Sequence, residues 1–138
     1  MVAIIVLRGR KIARGKAEGE ALVTGMPISF LGGVNPETGE VVDRDHELRG
    51  CSIAGKILVF PYGKGSTVGS YVIYGLARRG VAPKAILNIE TEPIVAVGAI
   101  MAGIPAVDRL DSDPTLTIRT GDKVRVDADR GLVEVLKE

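Results

Sequence analysis

The sequence predicts an α/β fold with β/β/α layering, in one domain spanning residues 1–138: a β-rich N-terminal half packed on a short parallel α/β unit. Three observations carry this. Thirty of the 138 residues are Val or Ile, set in short runs separated by glycine, a pattern of strands more than of long helices. Between residues 56 and 107 the apolar pattern switches between buried runs and helical spacing, giving strand, helix, strand, helix, strand, which implies parallel strands with right-handed crossovers. The composition, 46% hydrophobic and 25% charged, is that of a chain that folds rather than one that stays disordered.

Taken in order, Val2 to Leu7 is a continuous β-branched run, followed by a basic, Gly-punctuated link from Arg8 to Lys16 and a second strand from Gly19 to Thr24. Residues 25 to 55 carry most of the turn signals, and a long ordered loop of this kind in a compact domain points to function. Lys56 to Phe60 reads as a buried strand. The turn Pro61-Tyr62-Gly63-Lys64-Gly65 leads to a helix with Val68, Val72, Leu76 and Ala77 on one face, Ser66 or a neighbour as N-cap, and Arg78-Arg79-Gly80 as its stop. Ala85 to Ile89 is a third buried strand, and Pro93 to Ala102 a second helix with Pro near its first position and Gly103 after its end. Ile104 to Val107 follows as a short strand. The tail reads as a meander of Leu116 to Ile118, Lys123 to Val126 and Leu132 to Leu136.

The net charge is +1, from 18 basic and 17 acidic side chains, and there are five aromatics in all. Nucleic-acid binding wants a basic surface with stacking rings, so no nucleic-acid partner is expected. The longest apolar stretches, Val2 to Leu7 and Ile94 to Ile104, fall short of the roughly 20 residues that cross a bilayer. No basic region precedes the first, which therefore does not read as a secretory signal, and a cytoplasmic location is expected. The single cysteine, Cys51, can make no internal disulfide and cannot by itself hold zinc or an iron–sulfur cluster. It reads as a small buried hydrophobe. The absence of Gln and Trp, with two Asn and three Met, points to a thermophilic source.

The most informative stretch is Gly63-Lys64-Gly65-Ser66-Thr67-Val68-Gly69-Ser70, between a buried strand and a helix. Glycines there let backbone N–H groups converge on an anion, the helix dipole adds positive potential, and Lys64, Ser66 and Thr67 supply further donors. The alternative is a tight turn capped by Ser66. The stretch is not a Walker A loop, because Lys64 is followed by Gly65, and not a nucleophile elbow, because Gly65 precedes Ser66 directly. A dinucleotide loop fits loosely, with Gly63-x-Gly65, Gly69 one place late and Glu90 about 25 residues on. His46, the one histidine, reads as a structural loop residue among Asp43, Asp45 and Glu47, which with Glu37 form a solvated carboxylate cluster.

These residues together resemble the small, swivelling-domain subunit of the aconitase X group. The resemblance rests on Pro27-Ile28-Ser29-Phe30 with Gly32-Gly33-Val34-Asn35-Pro36-Glu37-Thr38-Gly39, on His46 with Gly50, and on the Gly63–Ser70 stretch. It continues through Ala82-Pro83, Ala85-Ile86, Gly98-Ala99-Ile100 and Ile104-Pro105. It implies a single swivelling domain and a hydro-lyase, active only with a large subunit, that dehydrates (R)-5-phosphomevalonate to trans-anhydromevalonate 5-phosphate in the archaeal mevalonate pathway of isoprenoid synthesis. It also implies a heterodimer whose large chain holds a [4Fe-4S] cluster. Ser66 falls on the family's proton acceptor, and Lys64, Gly65, Thr67, Ser29, Gly32 and Gly33 on the surrounding substrate contacts; no metal ligand falls on this chain. The substrate implied is a small phosphorylated hydroxy acid. A hydroxyproline dehydratase subunit is the alternative within the family. Outside it stand a mobile phosphohistidine-type carrier, which would need its histidine beside a helix start, and a free-standing anion-binding module.

Overall fold

The first extended run and the link after it form one bent strand. In the computed structural model, which describes residues 2–138, β1 (Ala3–Arg8) continues past Gly9 into β2 (Arg10–Ala13). The link from Arg8 to Lys16 thus contains a strand that its charged sequence hides. β1 lies at one end of an eight-stranded sheet ordered β1, β10 (Leu132–Lys137), β9 (Lys123–Asp127), β3 (Lys16–Val23), β5 (Ile57–Phe60), β7 (Ala85–Asn88), β8 (Ala106–Asp108), β2, and β2 at the other, so the strand through Gly9 closes the sheet on itself. Gly9 N–H donates to Gly131 O at 2.8 Å at this corner. β3 (Lys16–Val23) is shared in the same way: residues 16–20 pair antiparallel with β9 (Lys123–Asp127), and residues 21–23 pair parallel with β5 (Ile57–Phe60).

The parallel unit is as the pattern predicts. β5, β7 (Ala85–Asn88) and β8 (Ala106–Asp108) are parallel neighbours, and β2 pairs antiparallel with β8. β5 is buried on both faces, which is why its sequence is a continuous apolar run. Ile57 and Val59 point into the barrel with Leu7, Leu87, Val124, Val126, Val133 and Val135. Leu58 and Phe60 point to the other layer, where Ile73, Leu76, Val95 and Ala99 of the helices close a second core. Two α-helices make that layer, α2 (Gly69–Arg78) and α3 (Pro93–Ala102). The barrel wall opposite draws on both chain ends, since β10 (Leu132–Lys137) joins β1 to β9.

Residues 24–56 hold β4 (Ile28–Ser29), the short element α1 (Phe30–Gly33) and two isolated bridges, Val34 with Val41 and Glu40 with Ser52. Buried Val34, Val41, Leu48 and Ile53 tie this excursion to the helical-layer core. In the tail, Leu116 and Thr117 belong not to a strand but to α4 (Pro114–Thr117). Asp113 caps it by accepting from Thr115 N–H at 2.9 Å, and Pro114 fixes its first φ. Cys51 is exposed rather than buried: Val41 and Leu48 take up its backbone groups and its thiol is left outward.

Candidate active site

The Gly-rich turn lies at the carboxyl ends of the parallel strands, the end where open α/β sheets bind ligands. Pro61 O accepts from Ile89 N–H at 3.0 Å, so the turns after β5 and β7 lean on each other. Gly63 and Lys64 form β6, which pairs in parallel with β4, and this sets Ser29 opposite Lys64. Two segments far apart in sequence are thereby joined: the start of the long loop and the Gly-rich turn.

Three contacts fix the turn. A Cβ on Gly63 would lie 2.5 Å from both Glu92 Oε1 and Val95 Cγ2, so only glycine passes over the start of α3 at this point. The Glu92 carboxylate is held there because its two oxygens accept from Ile94 and Val95 N–H, at 2.7 and 3.0 Å. Gly65 has φ +88°, and a Cβ there would lie 2.5 Å from Ser29 Oγ. Ser29 Oγ donates to Leu31 O at 3.1 Å. Leu31 (φ −77°, ψ 116°) and Gly32 (φ 87°, ψ −20°) have the angles of a type II turn inside α1, where the third turn position calls for glycine.

Ser66 is exposed at the head of α2. Its Oγ accepts from Val68 N–H at 3.1 Å, and its carbonyl accepts from Gly69 N–H at 2.9 Å. It therefore caps the turn that feeds α2, while the first regular helical residue is Gly69 and Val68 in the cap position has no side-chain bond. Among the described residues, the N–H groups of Gly65, Ser66 and Thr67 meet no acceptor. Three consecutive unpaired donors and a helix start thus lie beside the hydroxyl. Lys64, Gly65, Thr67 and Gly32 are exposed around them; Gly33 is buried, its carbonyl accepting from Val42 N–H, and it shapes the loop rather than facing out. Ser70 is buried and donates to Ile94 O at 2.6 Å, which locks α2 to α3.

His46 is inward, as a structural loop residue would be. Its Nδ1 accepts from Leu48 N–H at 3.1 Å, which leaves Nε2–H to donate to Pro27 O at 3.2 Å. This pins the residue just ahead of β4. Glu47, from the carboxylate cluster, binds the Thr24 hydroxyl and Gly25 N–H and so closes the base of the same loop.

Two features escape the sequence pattern. Glu92 is one, because Glu is not among the residues that ordinarily cap a helix start. The other is a charge network at the ends of β7 and β8: Arg10 holds Asp108 by two bonds of 2.9 and 2.8 Å, Thr91 N–H donates to Asp108 at 2.7 Å, and Arg109 holds Glu90 at 2.8 Å. The Asp108 side chain is fully buried. Burial pushes its carboxyl up, but Arg10, the Thr91 amide and Arg109 outweigh that and leave it below the usual carboxylate range. Glu90 is likewise lowered, chiefly by Arg109.

A family description, the aconitase X swivel domain, matches residues 6–135. The phosphomevalonate dehydratase small subunit of Thermococcus gammatolerans is 62% identical over 130 residues, 94% of this chain and 97% of that one. Its namesake from Methanosarcina acetivorans is 58% identical over 133 residues, 96% of this chain and 92% of that one. The crystal structure of Thermococcus kodakaraensis aconitase X in its holo form superposes with a TM-score of 0.92 at 61% identity, covering 96% of this chain and 99% of that one. With the match running almost from end to end and the barrel and its helical layer superposing as well, this chain belongs to the aconitase X swivel domain family.

Proposed function

We propose that this chain is the small subunit of phosphomevalonate dehydratase, a hydro-lyase that removes water from (R)-5-phosphomevalonate to give trans-anhydromevalonate 5-phosphate. The observation that carries the reading is near full-length identity of about three residues in five to proteins of that name, together with an outward Ser66 at the built turn. The family's iron–sulfur cluster does not fit the residues of this chain. Cys51 is its only cysteine, and among the described residues no three His, Cys, Asp or Glu side chains converge. The cluster belongs to the large subunit.

This chain's part is to hold a base and an anion. Elimination next to a carboxylate needs a group to take the Cα proton, and Ser66 Oγ is that group. A serine hydroxyl is a weak base in water, so its alkoxide must be stabilised where it forms. The Val68 N–H already donates to Oγ, and the start of α2 places positive potential on it. The unpaired N–H groups of Gly65, Ser66 and Thr67, with Lys64 and Ser29, hold the substrate carboxylate or phosphate. Gly32, exposed and with φ +87°, completes the turn that follows Ser29. Mixing the purified small and large subunits and measuring water loss from (R)-5-phosphomevalonate tests the proposal. No turnover of this substrate, with turnover of a hydroxyproline instead, would move the chain to the other branch of the family.

A further inference from the structure

The pairing of β4 with β6 puts Ser29 opposite Lys64, yet a parallel pair of two residues does not fix its own place. Residues 46 and 47 hold the approach to it. The Glu47 carboxylate takes the Thr24 hydroxyl and Gly25 N–H, and His46 Nε2–H donates to Pro27 O at 3.2 Å. Pro27 has no N–H, so its carbonyl is the one backbone group by which it can be held. The next bond onward, from Ile28 N–H to Tyr62 O, is long at 3.3 Å. His46 itself stands on firm ground. It is 6% exposed, and both ring nitrogens meet backbone groups, so the ring bridges two stretches of main chain 19 residues apart. Leu48, whose N–H binds Nδ1, is buried in the helical-layer core, and the turn around it is tied to Val41 through Gly50 N–H and Cys51 O.

Resting on the reading of Ser29 as a contact of the substrate anion, we infer that His46 is a positioning residue for that anion: through Pro27 it sets Ser29 against the Gly-rich turn. The tolerance there is small, because Ser29 Oγ lies 2.5 Å from where a Cβ on Gly65 would be. Without the Nε2–H bond, Pro27 O loses its partner, the start of β4 is free to shift, and the Ser29 hydroxyl leaves its place beside Gly65 and Lys64. The two ring bonds divide the work. Nδ1, accepting from Leu48 N–H, closes the turn of residues 46–48 and supports the fold. Nε2–H reaches the residue ahead of β4 and supports substrate binding.

The test dissects the ring with its two amide analogues, in the complex of both full-length chains. His46→Asn keeps an acceptor for Leu48 N–H, in a turn that Asn favours, and loses the donor to Pro27. His46→Gln keeps a donor at the Nε2 position and loses the acceptor. His46→Asn should raise KM for (R)-5-phosphomevalonate about fivefold or more with kcat within about twofold, the pattern of lost uniform binding, at a near wild-type melting temperature. His46→Gln should do the opposite, with KM within about twofold and a lower melting temperature. In a Ser29→Ala background His46→Asn should add less than about twofold to KM, because its effect runs through Ser29. Hydrogen exchange over residues 26–31 should quicken in the Asn variant and not in the Gln variant. Ser70→Ala, which lowers stability away from this clamp, should leave KM as it is. A KM that rises in the Asn, Gln and Ser70→Ala variants in step with lost stability, or full additivity with Ser29→Ala, would overturn the assignment. A complex that leaves phosphomevalonate intact, while exchange over residues 26–31 still separates Asn from Gln, would remove the functional reading and keep the clamp. Turnover of phosphomevalonate with a KM untouched by His46→Asn would keep that reading and remove the clamp.

Discussion

Removing one oxygen at Ser66 separates chemistry from capping. Ser66→Ala is expected to cut turnover of the two-chain complex at least about a hundredfold, the low end for a lost general base, while costing about 1 kcal/mol of stability for the bond to Val68 N–H. Near-normal turnover in Ser66→Ala would return Ser66 to a structural role. Ser70→Ala should show the opposite split: turnover near normal, with about 1 kcal/mol lost in a urea melt as Ile94 O loses its partner. Gly65→Ala should harm both, because its φ of +88° and the nearness of Ser29 Oγ leave a side chain no place. The turn itself is legible in the sequence, since glycines between a buried strand and a helix have few other uses. Ser29 as its neighbour is not legible from spacing: a two-residue parallel pair across a long loop leaves no periodic trace, and only the family resemblance picks it out. His46 is legible as structural because a lone histidine has no second ligand beside it. Cys51 misleads, because burial is a tendency of cysteine and not a property of its place in the loop.

At the scale of elements, the ends of β7, β8 and β2 are held by charges, and the two partners of that pair are not equal. Arg10→Met leaves the Asp108 carboxylate buried without its main partner and should cost more stability than Asp108→Asn, where the half-exposed Arg10 turns to water. The acid response follows from the same contact. With its folded pKa held below the unfolded value, Asp108 stabilises the fold above the usual carboxylate range, and that contribution is lost as pH falls through the lower folded value. Between pH 7 and pH 3 the melting temperature should fall less in Arg10→Met than in the wild type, because without Arg10 burial raises the folded pKa of Asp108 and acid then removes less stability; superimposable profiles would remove the carboxylate's share. Elements with strong local patterns, such as β5, β7, α2 and α3, were legible. β2 was not, because Arg-Lys-Ile-Ala owes its strand state to pairing with β8. In α4 the β propensity of Leu-Thr-Ile yields to the cap and fixed φ of Asp113-Pro114.

For the whole molecule, the expected behaviour is that of half an enzyme: the purified small subunit alone should show no turnover of phosphomevalonate, and adding the large subunit should restore it. The layered architecture was legible because both β-rich flanks surround a clear parallel unit. That the sheet closes was not, because closure depends on a single bend at Gly9 that carries one strand to both ends of the sheet. This bend also sets an order of events during synthesis. β1 finds its partner only in β10, with Ala3 beside Lys137, so the earliest strand must wait for the last one to leave the ribosome. Until then β1 and β9 each present an unpaired edge, a template for association with other nascent chains. A chain stopped before Leu132 should therefore aggregate on release, seen as light scattering that the full-length chain does not give, even though every residue of the Ser66 turn is already in place.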